Sequence, residues 1–200
     1  MGTAMSSIED IKWLRGKTGC GIMEAKKAVA DAGGDRDKAL ILIQQRGAAS
    51  TAKRSERQAG EGIVEPYIHL GGQIGVLVEL DCETDFVARM PQFRELAHEI
   101  AMQVAANNPR YTNLDEIPEE EVEKWKATFR DQQIGEGKNE DLATKIAEGQ
   151  WKKQAQQQVL MEQPYIRDDS KTIRQLVQEL AASTKENIMV RRVARFHVGS

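Results

Sequence analysis

Apolar residues first recur at helical spacing close to the amino end. Ile8, Ile11 and Leu14 make a short stripe behind a capping-box signal, Ser7 with Asp10. Gly19 and Gly21 interrupt that pattern, the spacing predicts a second helix over residues 22–32, and Gly33-Gly34 ends it. Asp35 is placed to cap a third helix, which Gly47 is expected to stop. Three short helices between glycine turns make a small bundle over residues 7–50. The stretch that follows, ASTAKRSERQAGEG, has no apolar period. A solvated helix or linker is the plainer reading; a basic docking patch is weakened by Glu56 and Glu61 among Lys53, Arg54 and Arg57.

From Gly62 the period changes to two. Val64, Ile68 and Leu70 alternate in one run, and Ile74, Val76, Val78, Leu80 and Cys82 in the next, with Gly71-Gly72 between them as a hairpin turn. Pro66 lacks a backbone donor, which favours a sheet edge. Pro91 then opens a helix with a broad apolar face (Phe93, Leu96, Ala97, Ile100, Ala101, Val104), stopped at Asn107-Asn108-Pro109. Two further helices are predicted, one over residues 118–133 with Val122, Trp125 and Phe129 inward, one after Asn139 carrying Leu142 and Ile146. QWKKQAQQQ beyond reads as an exposed extension. Thr172 with Gln175 caps a last amphipathic helix of Ile173, Leu176, Val177 and Leu180, and a strand over residues 188–198 closes the chain. The class is α+β: an N-terminal three-helix unit over residues 7–50, a linker over 51–61, and over 62–200 a core of a small antiparallel sheet packed with helices. Residues 1–6 read as a tag remnant or disordered.

Charge and composition narrow the function. A net charge of −3 and only 5% aromatics argue against direct nucleic-acid binding. No apolar run approaches the roughly 20 residues of a membrane span, and Cys20 and Cys82 lack a CxxC pairing, so a cytoplasmic protein with free thiols is expected. Gly16-Lys17-Thr18 is not a phosphate loop, because Ile11 stands where the first glycine belongs. Asp81, Glu83 and Asp85 begin like a calcium loop, but Phe86 occupies the glycine position and Gln92 the bidentate glutamate position. His69, His98 and His197 are scattered without metal-ligand spacing. No cofactor, no bound metal and no covalent catalysis are expected.

One stretch resists this reading. CETDFVAR, Cys82 to Arg89, leaves a strand through carboxylates and places Phe86 directly after Asp85. On its own this reads as an aromatic plugging the edge of a core. But TDFVA after GVLVELDCE resembles the signature of the elongation factor Ts family, the nucleotide-exchange factors of the translational GTPase elongation factor Tu. LRGKTGCGIMEAKKAVADAGGDRDKAL is similar to the family's N-terminal stretch, KRSERQAGEGIV to its link into the core, EQPYIRDDSKTIRQLV to its "EQPF…KTV" segment, and VARFHVG to its closing strand. Cys20, Ile22 and Tyr165 stand where Ala, Met and Phe are common. Long members carry a second core subdomain and a protruding coiled coil; with one TDFV motif this chain resembles the short form, whose members are homodimers.

The resemblance implies that Thr84, Asp85, Phe86 and Val87 dislodge Mg²⁺ from the partner GTPase, Asp85 and Phe86 acting while Thr84 and Val87 shape the turn. It implies a ubiquitin-associated-like N-terminal domain that docks on the partner's nucleotide domain; the contacts expected within it are Arg15, Ile22 and Met23, although Ile22 and Met23 could equally be core. PYIHLGGQIGVLVEL is also similar to the second subdomain of long members, which suggests that His69 of one protomer completes the surface used by Asp85 and Phe86 of the other. Two other classes stay open: an adaptor that holds a partner without releasing its ligand, and a ribosome-associated RNA binder, which Lys53, Arg54 and Arg57 favour and the net charge opposes.

Overall fold

The computed structural model describes residues 8–199, so the Ser7 cap and the reading of residues 1–6 lie outside the described residues. The chain begins with α1 (Ile8–Thr18), α2 (Ile22–Asp31) and α3 (Arg36–Ser55). Leu14, Ala25, Ala28, Val29, Ala39 and Ile43 close a small core between them, with Ile11 at its margin. Ile8, the first residue of the expected stripe, is exposed instead. Gly33 and Gly34 both take positive φ, and the Asp35 side chain accepts from the Asp37 and Lys38 amides as the cap of α3. That helix does not stop at Gly47. No turn geometry is imposed there, the residues beyond Gly47 favour helix, and α3 continues to Ser55, into the stretch expected to be a linker.

The core domain is built on β1 (Glu61–Ile68), β2 (Ile74–Cys82) and β5 (Met189–His197), antiparallel in the order β1-β2-β5. Pro66 therefore sits on an edge strand. Gly71 and Gly72 turn the β1–β2 hairpin with positive φ. Inside it, Gly62 passes so close to β2 that a Cβ would lie 2.3 Å from the Leu80 carbonyl oxygen. On the inner face Val76, Val78, Leu80 and Cys82 meet the apolar stripe of α5 (Pro91–Asn107), and α8 (Ile173–Thr184) adds Ile173, Val177 and Ala181 to the same core. A capping box of Thr172 and Gln175 starts α8, and Asn108 in the left-handed region ends α5.

The period-two run of β1 marks the opposite face. Ile63 and Tyr67 turn inward, whereas Val64, Ile68 and Leu70 are exposed, Leu70 by 94%. With Leu77 and Phe196 they make an apolar outer surface, on which Pro66 pairs with Leu77, Leu77 with Ala194, and Gly75 with Phe196.

Between α5 and α8 the chain forms a helical pair, α6 (Glu119–Gly135) and α7 (Glu140–Gln158), then a two-stranded ribbon, β3 (Pro164–Tyr165) with β4 (Asp168–Thr172). Val122 and Trp125 of α6 pack beside Ile117, Ala155, Val159 and Trp151, while Phe129 is half-buried. On α7 the buried positions are Ala143, Ala147 and Ala155, and the expected Leu142 is exposed. A stripe of alanines lets two helices approach closely, so the polar QWKKQAQQQ is the packed second half of α7 and not a free extension.

Candidate functional site

At its last residue β2 runs out of ladder: Cys82 pairs with Glu61, the first residue of β1. Thr84 keeps an extended backbone and caps a single helical turn, α4 (Asp85–Ala88), its hydroxyl accepting from the Val87 amide. A helical turn rotates each side chain by about 100° from the last. Val87 and Ala88 consequently enter the core, and Asp85 and Phe86 face outward. Phe86 is 76% exposed, so it does not plug the core edge. Asp85 pairs with Arg89 one turn on, and Pro91 opens α5 immediately behind.

The turn is held from below by residues distant in sequence. The Glu83 and Thr84 amides donate to Glu186 Oε2 at 3.0 and 3.1 Å, and the Thr84 hydroxyl donates to Glu186 Oε1 at 2.7 Å. In return the Asn187 amide donates to Glu83 Oε1 at 2.6 Å. Arg57 Nη1 reaches both Glu83 Oε1 and the Lys185 carbonyl, while Asn187 Nδ2 donates to the Arg57 carbonyl. Cys82 lies beneath, its thiol donating to the Thr84 carbonyl. Burial, together with the negative charge of Glu186, pushes that thiol up from 9.0 to about 11.

The acids that imitate a calcium loop diverge. Asp81 pairs with Arg191, Glu83 with Arg57 and Asp85 with Arg89. Among the described residues no three His, Cys, Asp or Glu side chains gather in a metal-binding group. Gly16, Lys17 and Thr18 form the last turn of α1, where the Thr18 hydroxyl donates to the Leu14 carbonyl.

Of the residues singled out in the sequence, Thr84, Asp85, Phe86 and Val87 come together in the turn. Arg15, Ile22 and Met23 gather at the α1–α2 connection, where Arg15 Nε donates to the Cys20 carbonyl; Ile22 and Met23 are exposed there and outside the bundle core. His69 stands apart, at the opposite end of the β1–β2 hairpin from Cys82, hydrogen-bonded through Nδ1 to the Tyr67 hydroxyl. Glu186 and Asn187 were not anticipated, and Arg57, read in the sequence only as part of a basic stretch, was not expected to hold the turn. Glu186 follows the end of an ordinary amphipathic helix and meets a turn 102 residues away, a pairing that no local pattern announces.

The described residues contain no helix long and apolar enough to cross a membrane. The family model described as "Elongation factor TS" matches residues 26–200. The chain is 46% identical over 195 residues to the elongation factor Ts of Caldanaerobacter subterraneus subsp. tengcongensis, covering 98% of both chains. It is 47% identical over 189 residues to that of Coprothermobacter proteolyticus, covering 94% of this chain and 96% of the relative. With that of Moorella thermoacetica it shares 46% over 195 residues, 98% of this chain and 96% of the other.

Proposed function

The chain belongs to the elongation factor Ts family, and from that premise we propose that it releases GDP from elongation factor Tu through the Thr84–Val87 turn. Membership supports a nucleotide-exchange role in translation elongation in place of covalent catalysis. A translational GTPase holds its nucleotide through phosphate-loop amides and a Mg²⁺ ion bridging to the phosphates. Release requires those contacts to be weakened while the emptied pocket is stabilised. Phe86 wedges between elements near the ion, and the Asp85 carboxylate disturbs the charge balance and hydrogen bonding that hold it. The exposure of Phe86 on a turn capped by Thr84 and anchored by Val87 carries this reading. A large apolar side chain held ready in solvent costs little ordering on binding and concentrates interface energy.

Arg15, Ile22 and Met23 provide the docking contact of the N-terminal unit, a role supported by their shared exposed position. The protein works in the cytoplasm as a homodimer, a reading supported by the apolar outer face of the sheet. Because His69 and Asp85 lie at opposite ends of one hairpin, a surface using both draws them from different protomers. Linkage makes the action reciprocal: GDP weakens binding of the factor by the same ratio that the factor weakens binding of GDP. An excess of GTP then sets the direction.

The test is release of a fluorescent GDP from elongation factor Tu. Acceleration by the wild type, with Asp85→Ala and Phe86→Ala falling back toward the spontaneous rate, is the expected outcome. Binding without acceleration would leave an adaptor.

A further inference from the structure

We infer that Glu186 is the positioning residue of the exchange turn: its carboxylate orients the Thr84 hydroxyl that caps α4 and thereby fixes where Asp85 and Phe86 point. This inference rests on the exchange reading above.

The need arises where β2 ends. The amides of Glu83 and Thr84 lie beyond the last ladder pair, so no neighbouring strand supplies their acceptor. Glu186 Oε2 accepts from both, leaving Oε1 for the Thr84 hydroxyl. A threonine hydroxyl has one proton and two lone pairs. With its proton committed to Glu186, a lone pair is directed to the Val87 amide, the contact that starts the turn. Val87 is then seated in the core, and the helical period sets Asp85 and Phe86 outward. A neutral partner would serve less well, because hydrogen bonds to a carboxylate are the shorter and stronger ones.

The fold delivers this carboxylate deliberately. Lys185 ends α8 in the left-handed region, at φ 63°, and reverses the chain so that Glu186 meets the turn before β5 begins. The crossed bond from the Asn187 amide to Glu83, and the grip of Arg57 on Glu83 and the Lys185 carbonyl, keep the two segments in register. Glu186 thus acts from behind the turn and does not share the outward face that Phe86 presents.

Glu186→Ala and Glu186→Gln test the assignment with two readouts, amide hydrogen exchange of the free protein and fluorescent GDP release from elongation factor Tu at varied factor concentration. In Glu186→Ala we expect faster exchange at the Glu83, Thr84 and Val87 amides and a maximal release rate about tenfold lower, in keeping with loss of charged hydrogen bonds. The concentration for half-maximal release should stay within about twofold, because docking through the N-terminal unit is untouched. Glu186→Gln keeps an acceptor for both amides but turns an NH2 donor toward the Thr84 hydroxyl, so it should restore protection of the Glu83 and Thr84 amides and only part of the rate. Unchanged amide protection in Glu186→Ala, or a maximal rate equal to wild type, overturns the inference. Equal loss in both variants with a matching fall in melting temperature makes Glu186 merely structural and overturns it too. If the wild type itself gives no acceleration, the exchange reading fails, and the amide exchange still decides whether Glu186 holds the turn.

Discussion

Phe86 and Phe93 lie close in sequence and have opposite surroundings: one is 76% exposed, the other fully buried beneath the sheet. Phe93→Ala should cost about 3–5 kcal/mol through lost burial and the cavity left behind. Phe86→Ala should change stability by no more than about 0.5 kcal/mol, as exposed substitutions do. Urea unfolding of the two variants measures both, and a large loss for Phe86→Ala would mean that it packs against its own chain and is no free wedge. Cys82 gives a second residue-scale expectation. Burial favours its neutral form, so the folded protein keeps the proton up to about pH 11, above the 9.0 of an exposed thiol. Between those values the unfolded chain has ionised and the folded one has not, so stability is complete below 9.0 and falls as pH rises toward 11. Cys82→Ser should flatten that decline in thermal melts taken across the window. At this scale the resemblance singled out Asp85 and Phe86, and both are exposed on one turn. What holds them was not legible in the sequence: Glu186 and Arg57 become meaningful only when three distant segments meet.

At the scale of elements, periodicity located most helices and strands, and it erred where glycine, alanine or polarity misled it. Gly47 looked like a stop, yet it has an ordinary helical backbone, and among the described residues nothing beyond its own helical backbone and chain neighbours lies within 4 Å of where a Cβ would stand. Gly47→Ala should therefore stabilise α3 by about 0.5–1 kcal/mol, read as a raised melting temperature. Gly62→Ala should do the reverse, because its Cβ would meet the Leu80 carbonyl oxygen at 2.3 Å and the Asp81 Cα at 2.9 Å, backbone that cannot rotate aside. A loss of about 1–3 kcal/mol is expected from the strain forced on β1, and an unperturbed melt would contradict the close packing of the hairpin. The β3–β4 ribbon went unread because DDSKT has neither apolar alternation nor strong strand formers. It exists through tertiary support: buried Gln103 on α5 donates to the Gln163 side chain and the Pro164 carbonyl, and accepts from the Ile166 amide. The pattern found β1 but could not say which face was wet. Val64, Ile68 and Leu70 are as apolar as a core stripe, and only the helices on the other side show that they are not one.

That outer face governs the molecule as a whole. An apolar sheet surface left open to water marks a contact site, and its grading along the strands says how a second copy would sit. The rows nearest the hairpin turn are apolar, with Ile68, Gly75 and Phe196 in one and Pro66, Leu77 and Ala194 in the next, whereas the row beyond carries the Glu79–Arg192 ion pair. The proposed dimer should be centred on Leu77 and Phe196, with the charged row toward its rim. Leu77→Asp places a charge at that centre. Because Leu77 is exposed in the protomer, the variant should fold normally and give half the wild-type mass in light scattering at micromolar concentration. Its exchange activity then decides the role of His69. If Asp85 and Phe86 of one protomer act together with His69 of the other, the monomer loses release activity although each turn is intact, and His69→Ala in the wild-type dimer reproduces part of that loss. A monomeric Leu77→Asp that releases GDP as fast as wild type would make each turn self-sufficient and remove His69 from the site. A wild type that is itself monomeric would refute the pairing outright.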